Sequence, residues 1–180
     1  MKIILVFIAA VLIGCKQKTI NQRLVDYINN PTNKITQKIK IGEVGVEVKW
    51  LPYDVRRLMA LDRKSADTDF LIDDAYNYFN VKFEKDRNEK PAREKVLYLD
   101  FDMQNDFVLQ TKGDSLYPAI CQKVENGRSW QYEYIVGFEK KDTQVKDDFT
   151  LVYKDKIFGI GTIAFVYQKK DIQKIPRLKS

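Results

Sequence analysis

Two hydrophobic rhythms run along this chain, one helical and one extended. Ile20, Leu24, Val25 and Ile28 recur at helical spacing and predict a short helix over 19–29. Asn30-Pro31 stops it, because the residue before a proline is pushed out of the helical region. Val55, Leu58, Met59 and Asp62 fall at i, i+3, i+4 and i+7 and predict a second short helix over 53–63. Phe70, Leu71, Ala75, Tyr76 and Phe79 are compatible with another helical stretch, for which Asp67 or Thr68 would serve as cap.

Elsewhere the period is two. Val44–Trp50, Phe79–Glu84, Leu97–Met103, Phe107–Leu109, Trp130–Phe138, Asp148–Tyr153 and Ile157–Tyr167 alternate apolar with other residues or run short and apolar between polar turns. Short strands at near-regular spacing predict a mainly β fold, an antiparallel sandwich or barrel, with one or two short helices on its N-terminal side.

The first fifteen residues follow neither rhythm. Lys2 precedes an unbroken apolar run from Ile3 to Ile13, closed by Gly14-Cys15. One cation, a short apolar stretch and a small residue make the layout of a secretory signal peptide. The run is too short to cross a bilayer, which takes about 20 apolar residues. Leu12-Ile13-Gly14-Cys15 also resembles the lipobox of bacterial lipoproteins. That resemblance implies removal of residues 1–14 and lipidation of Cys15, which becomes the new N-terminus. Several acyl chains on one cysteine give stable anchorage where a single chain is marginal. In the diderm sorting rule an Asp after the cysteine favours the inner membrane. Lys16 stands here, which implies the periplasmic face of the outer membrane.

Charge divides the rest. Residues 16–40 carry six cations and one anion, and residues 169–180 carry five cations and one anion, while 41–168 is mildly acidic. The expected organisation is therefore a signal peptide (1–14), a lipidated cysteine with a basic tether (15–40), a β-sandwich domain (41–168) and a basic C-terminal tail (169–180). Lys16, Lys18, Arg23, Lys34, Lys38 and Lys40 suit an anionic lipid surface beside the anchor, and equally suit a solvated tether. A nucleic-acid binder would place its basic patch on the folded body, so no nucleic-acid partner is expected.

Within the body, Asp106-Phe107-Val108-Leu109, Gly113-Asp114, Tyr117-Pro118, Tyr132–Phe138 and Asp148–Tyr153 follow one another in an order that resembles the immunoglobulin-like sandwich domains of bacterial surface lipoproteins. The resemblance implies a fold and no activity, since a sandwich hosts many unrelated functions.

Candidate chemistry is sparse. The chain contains no His, which removes the commonest general base and every imidazole metal site. Asp100, Asp102 and Asp106 invite a calcium loop, but a loop counted from Asp100 has Asn105 where glycine is needed and Thr111 where a carboxylate is needed. Asp67, Asp69, Asp73 and Asp74 offer a carboxylate pair of the kind that hydrolyses glycosides, with no pattern that selects two of them. Trp130, Tyr132, Tyr134 and Phe138 share one face of a strand; core packing explains them, and Trp130 at the strand start is the candidate for an exposed binding contact. Once Cys15 is consumed, Cys121 is a lone thiol and is read as a small buried apolar residue. Gly159 and Gly161 lack the following helix of a phosphate loop. No cofactor, metal or catalytic group is expected. These features imply a lipid-anchored binding or assembly protein of the bacterial envelope, with the membrane and an envelope protein as partners. The rivals are a carbohydrate-binding lipoprotein that uses exposed aromatics and a periplasmic enzyme with a carboxylate pair.

Overall fold

The computed structural model describes residues 18–62, 73–85, 92–128, 130–140 and 147–178. The signal peptide, Cys15, Asp67, Thr68, Asp69 and the first residues (70–72) of the stretch expected to be helical lie outside the described residues. The fold is mainly β, with two antiparallel sheets facing each other. In chain order the elements are α1 (Ile20–Asn29), β1 (Thr36–Ile41), β2 (Val44–Leu51), α2 (Tyr53–Asp62), β3 (Tyr76–Lys85), α3 (Arg93–Leu97), β4 (Phe107–Thr111), β5 (Asp114–Leu116), β6 (Ile120–Val124), β7 (Gln131–Glu139), β8 (Phe149–Lys154), β9 (Thr162–Tyr167) and α4 (Lys169–Ile172). One sheet has the order β1-β2-β3-β7-β6, the other β5-β4-β8-β9. Every pairing is antiparallel.

The alternation read in the sequence sets the faces. In β2, Val44, Val46, Val48 and Trp50 turn inward, while Glu47 and Lys49 are only partly covered. Outside, Lys38 pairs with Glu47 and Lys82 lies 3.8 Å from Glu133, so the outer face of the larger sheet is a solvated field of paired charges. The two-residue turn joining β1 and β2 has Gly42 at φ +58, a value that a type II′ hairpin demands and side chains resist.

Aromatic rings bond the sheets. Trp50 of β2 meets Phe149 of β8 edge-on at 5.3 Å, and Phe149 stacks on Tyr167 of β9 at 5.0 Å. Phe79 of β3, fully buried, touches Phe138, Phe149 and Tyr167. Toward the other end Phe83 contacts Tyr153 and stacks on Phe158, both at 4.8 Å. Burial of one such ring contributes roughly 1.5–3 kcal/mol by transfer alone. Core residues run from Leu24 to Tyr167, with Ile172, Ile175 and Leu178 packed against them. Among the described residues the core therefore lies wholly between Leu24 and Leu178.

Four expectations change. The tether expected at 15–40 is folded from Ile20 onward: Leu24 and Ile28 of α1 are buried in the core, and β1 pairs along its length with β2. Thr19 starts α1 with a reciprocal capping box to Gln22. The tail expected at 169–180 is docked likewise, since α4 and the residues after it pack on the core and Tyr27 Oη donates to the Asp171 carbonyl at 2.8 Å. The strand expected over 97–103 is helical instead: α3 runs into a wide π turn (Tyr98–Asp102) and a 3-10 turn (Met103–Asp106). Leu97, Leu99, Phe101 and Met103 satisfy alternation, but only Leu99 and Met103 are buried. Those two are four apart, the spacing of one helical face, so the same letters fit both periods. The helical stretch expected to reach Phe79 is extended at its described end: Ala75 lies in a turn and β3 begins at Tyr76, so the strand expected from Phe79 starts three residues earlier.

Candidate functional site

The register of the ladders defines two ends. At one, Trp50 lies opposite Phe79 and Tyr78 opposite Gly137, and α1 and α4 lie across it. At the other, Glu84 lies opposite Gln131 and Lys154 opposite Thr162. Candidate chemistry collects at the second end.

A cleft of about 270 Å³ opens there between Val96 and Leu99 of the helical segment and the β6–β7 connection, where Lys123, Arg128, Gln131 and Tyr132 line it. Its walls are held from below. Tyr134 Oη donates to the Leu99 carbonyl at 2.8 Å, and Lys123 forms an ion pair with Asp100. Arg128 donates to Gln131 Oε1 at 3.2 Å, and Asn126 caps the turn by accepting from Arg128 N at 3.0 Å. Beside the cleft the helical segment leaves Phe101 70% and Leu97 50% exposed. They are four residues apart and share one helical face. Large apolar groups in the open at one place mark a contact surface more often than scattered ones do.

Behind the cleft sits a polar cluster around a buried Asp106, whose depth the sequence does not reveal. Asp106, wholly buried, accepts from Tyr98 Oη at 2.6 Å and pairs with Lys156 at 3.2 Å through the same oxygen, while its Oδ2 has no hydrogen-bond partner. Burial pushes its carboxyl above the ordinary range, and Tyr98 and Lys156 pull it partly back. Asp155 has the opposite fate. Burial raises it too, but the N–H groups of Phe158, Ile157 and Ile160 and the Tyr153 hydroxyl all donate to it and hold it below its usual value. Cys121, half-buried on β6, has its thiol pushed up to about 12, first by burial and then by the Asp106 charge. A thiol so held is protonated at neutral pH and is no nucleophile. The signal that pointed here was the acidic run 100–106; what it lacked was depth, because only the fold buries Asp106 while leaving Asp100 and Asp102 exposed.

The other predicted residues fall in separate places. Tyr132, Tyr134 and Phe138 are 7%, 1% and 0% exposed, so the aromatic strand is core and provides no stacking platform for sugars. Trp130 is half-buried just ahead of β7, where its carbonyl accepts from Lys85 N at 3.0 Å and prolongs the β3–β7 ladder. Asp73 and Asp74 lie at the opposite end, where Asp74 is engaged by Arg56 and Lys140. Arg56, the largest fully buried side chain, also donates to the Leu51 and Asp73 carbonyls and stands 4.8 Å above the Tyr78 ring. The sequence carries no signal for its burial, because Val55 and Met59 beside it already account for the helix. Among the described residues no group of three or more His, Cys, Asp or Glu is placed to hold a metal ion, and no helix is long and apolar enough to cross a membrane. No protein-family model, no curated protein and no solved structure matches this chain.

Proposed function

We propose that this protein is a lipid-anchored, extracytoplasmic binding protein of the bacterial envelope that works without covalent chemistry. Cys15 carries the anchor, the outer membrane is the expected site, and an envelope protein is the partner. The observation that supports this reading is polarity along the strands. The chain leaves the lipobox into α1 at one end, and the cleft with exposed Leu97 and Phe101 lies at the other. β7 spans nine residues between them, about 30 Å. A protein tethered at the first end presents the second away from its membrane.

The test uses the full chain expressed in a diderm host. Mass spectrometry of the mature protein is expected to find residues 1–14 removed and Cys15 acylated, with the protein in the membrane fraction; Cys15→Ala leaves an unacylated precursor. A photo-crosslinker at position 101 is expected to give a discrete protein adduct that the same group at position 170, on α4 at the other end, does not. An unmodified Cys15 in the wild type refutes the anchor, and equal adducts from both positions refute the cleft.

A further inference from the structure

The tertiary structure brings the two basic ends of the sequence, about 130 residues apart, onto one flank. Tyr27 of α1 reaches the Asp171 carbonyl of α4 at 2.8 Å, and Arg23 lies one turn before Tyr27 on the same side of α1. Gln37 Nε2 donates both to the Lys34 carbonyl at 3.1 Å and to the Val166 carbonyl at 3.0 Å, which ties Lys34 to the end of β9 just ahead of α4. Arg23, Lys34, Lys169, Lys170, Lys174 and Arg177 are all exposed on this flank. None of the six pairs with a carboxylate among the described residues. Four carboxylates share the flank, Asp147 beside Asp148 and Lys169 among them, and against the six cations and Lys18 they leave it net positive. Asp26 is held by Lys18 at 2.6 Å, Asp148 accepts the Lys169 N–H at 2.8 Å, and Asp171 stands beside Tyr27.

Distance decides what meets this flank. Ile20 opens α1 five residues after Cys15. Five residues span at most ~17 Å whatever path they take. A tether of 25 residues would have let the domain sit far from the bilayer; the folded α1 and β1 leave no such slack. The Debye length is about 8 Å at physiological ionic strength, about half that maximum span, so the tether permits the cations to reach headgroup charge, and their own attraction must hold them there.

We propose that this flank, centred on α1 and α4, docks on anionic phospholipid headgroups and fixes the sandwich upright with its cleft outward. The proposal rests on the anchor reading for its biological setting. Its chemistry is independent of it: several exposed cations on one face, with no carboxylate partner among the described residues, each strengthening partition onto an anionic surface about fivefold.

The test uses unlipidated residues 16–180 and sedimentation with vesicles of phosphatidylglycerol and phosphatidylcholine, against phosphatidylcholine alone. The expected result is binding to the anionic vesicles only, released by salt. The triple variant Lys170→Glu, Lys174→Glu, Arg177→Glu is expected to weaken partition at least tenfold. Arg93→Glu, Lys95→Glu, Lys154→Glu changes net charge equally at the cleft end and is expected to stay within about twofold of wild type. Thermal melts of both variants establish that they are folded. Equal binding to neutral vesicles, or equal loss in the two variants, overturns the proposal. Because acylation is read separately by mass, failure of the anchor and failure of the docking flank give different results.

Discussion

The two ends of the sandwich are built from different materials. The end that carries α1 and α4 is closed by a ring cluster, Trp50, Phe149, Tyr167 and Phe79, beside the buried Arg56, and its exposed apolar residues Val25, Tyr117 and Val166 lie on separate elements. The cleft end has its own ring cluster, Phe83, Tyr153 and Phe158, but adds buried carboxylates and leaves Phe101 and Leu97 in the open. Dense aromatic packing excludes water and specifies one arrangement. A buried, incompletely bonded carboxylate costs stability that the packing around it must offset. The contrast teaches where this molecule spends its surplus stability, and therefore where to look for recognition.

The largest test of that contrast compares two aromatic truncations. Trp50→Ala is expected to cost about 3–5 kcal/mol, the range for large aromatic deletions in a packed core. Phe101→Ala, at a residue 70% exposed, is expected to stay within about 0.5 kcal/mol. Denaturant midpoints measure both. Comparable losses would erase the distinction between a sealed end and a presenting one.

A smaller effect sharpens the closed end. Gly137 on β7 lies opposite Tyr78, and a Cβ placed there would come within 2.9 Å of the Tyr78 ring. Gly137→Ala is expected to cost about 1–3 kcal/mol through overpacking. Gly45, whose nearest neighbour would be 3.8 Å away, is expected to accept Ala with little change. If both substitutions are silent, the closed end is looser than its contacts imply.

The smallest effect concerns acid. Asp155 is held below its usual carboxyl value, so it contributes stability above the unfolded carboxylate range that is lost as pH falls through the folded value. Asp106 is raised, so its contribution has the other sign: stability declines as pH rises from the unfolded value through the folded one. Asp106→Asn is expected to remove that decline and Asp155→Asn to flatten the acid limb, both read from unfolding free energy against pH. Parallel curves for wild type and both variants would show that the cluster is not the electrostatic feature that sets this end apart.

Periodicity of two was legible wherever one face of a strand is buried and the other wet, because pleat and burial then repeat together. Val44–Trp50 and Trp130–Phe138 were readable for that reason, and so was the place of Tyr132, Tyr134 and Phe138 in the core. It misled at Leu97–Met103, where four apolar letters fit two periods and only the neighbours, Tyr134 bonding the Leu99 carbonyl among them, select the helical one.

What the sequence determined alone was local: the apolar run ending in Cys15, the absence of His, the alternating strands and the short helices. Each depends on spacing along the chain or on composition, and neither needs a partner in space. What only the tertiary structure decided was non-local. A charge run of 25 residues reads as a solvated tether until Leu24 and Ile28 find a core to enter and β1 finds β2 to pair with. The buried state of Asp106 and Arg56, and the meeting of the two basic ends through Tyr27 and Asp171, follow likewise from contacts between residues far apart in sequence. Burial is a property of what surrounds a residue, and no window along the chain contains its surroundings.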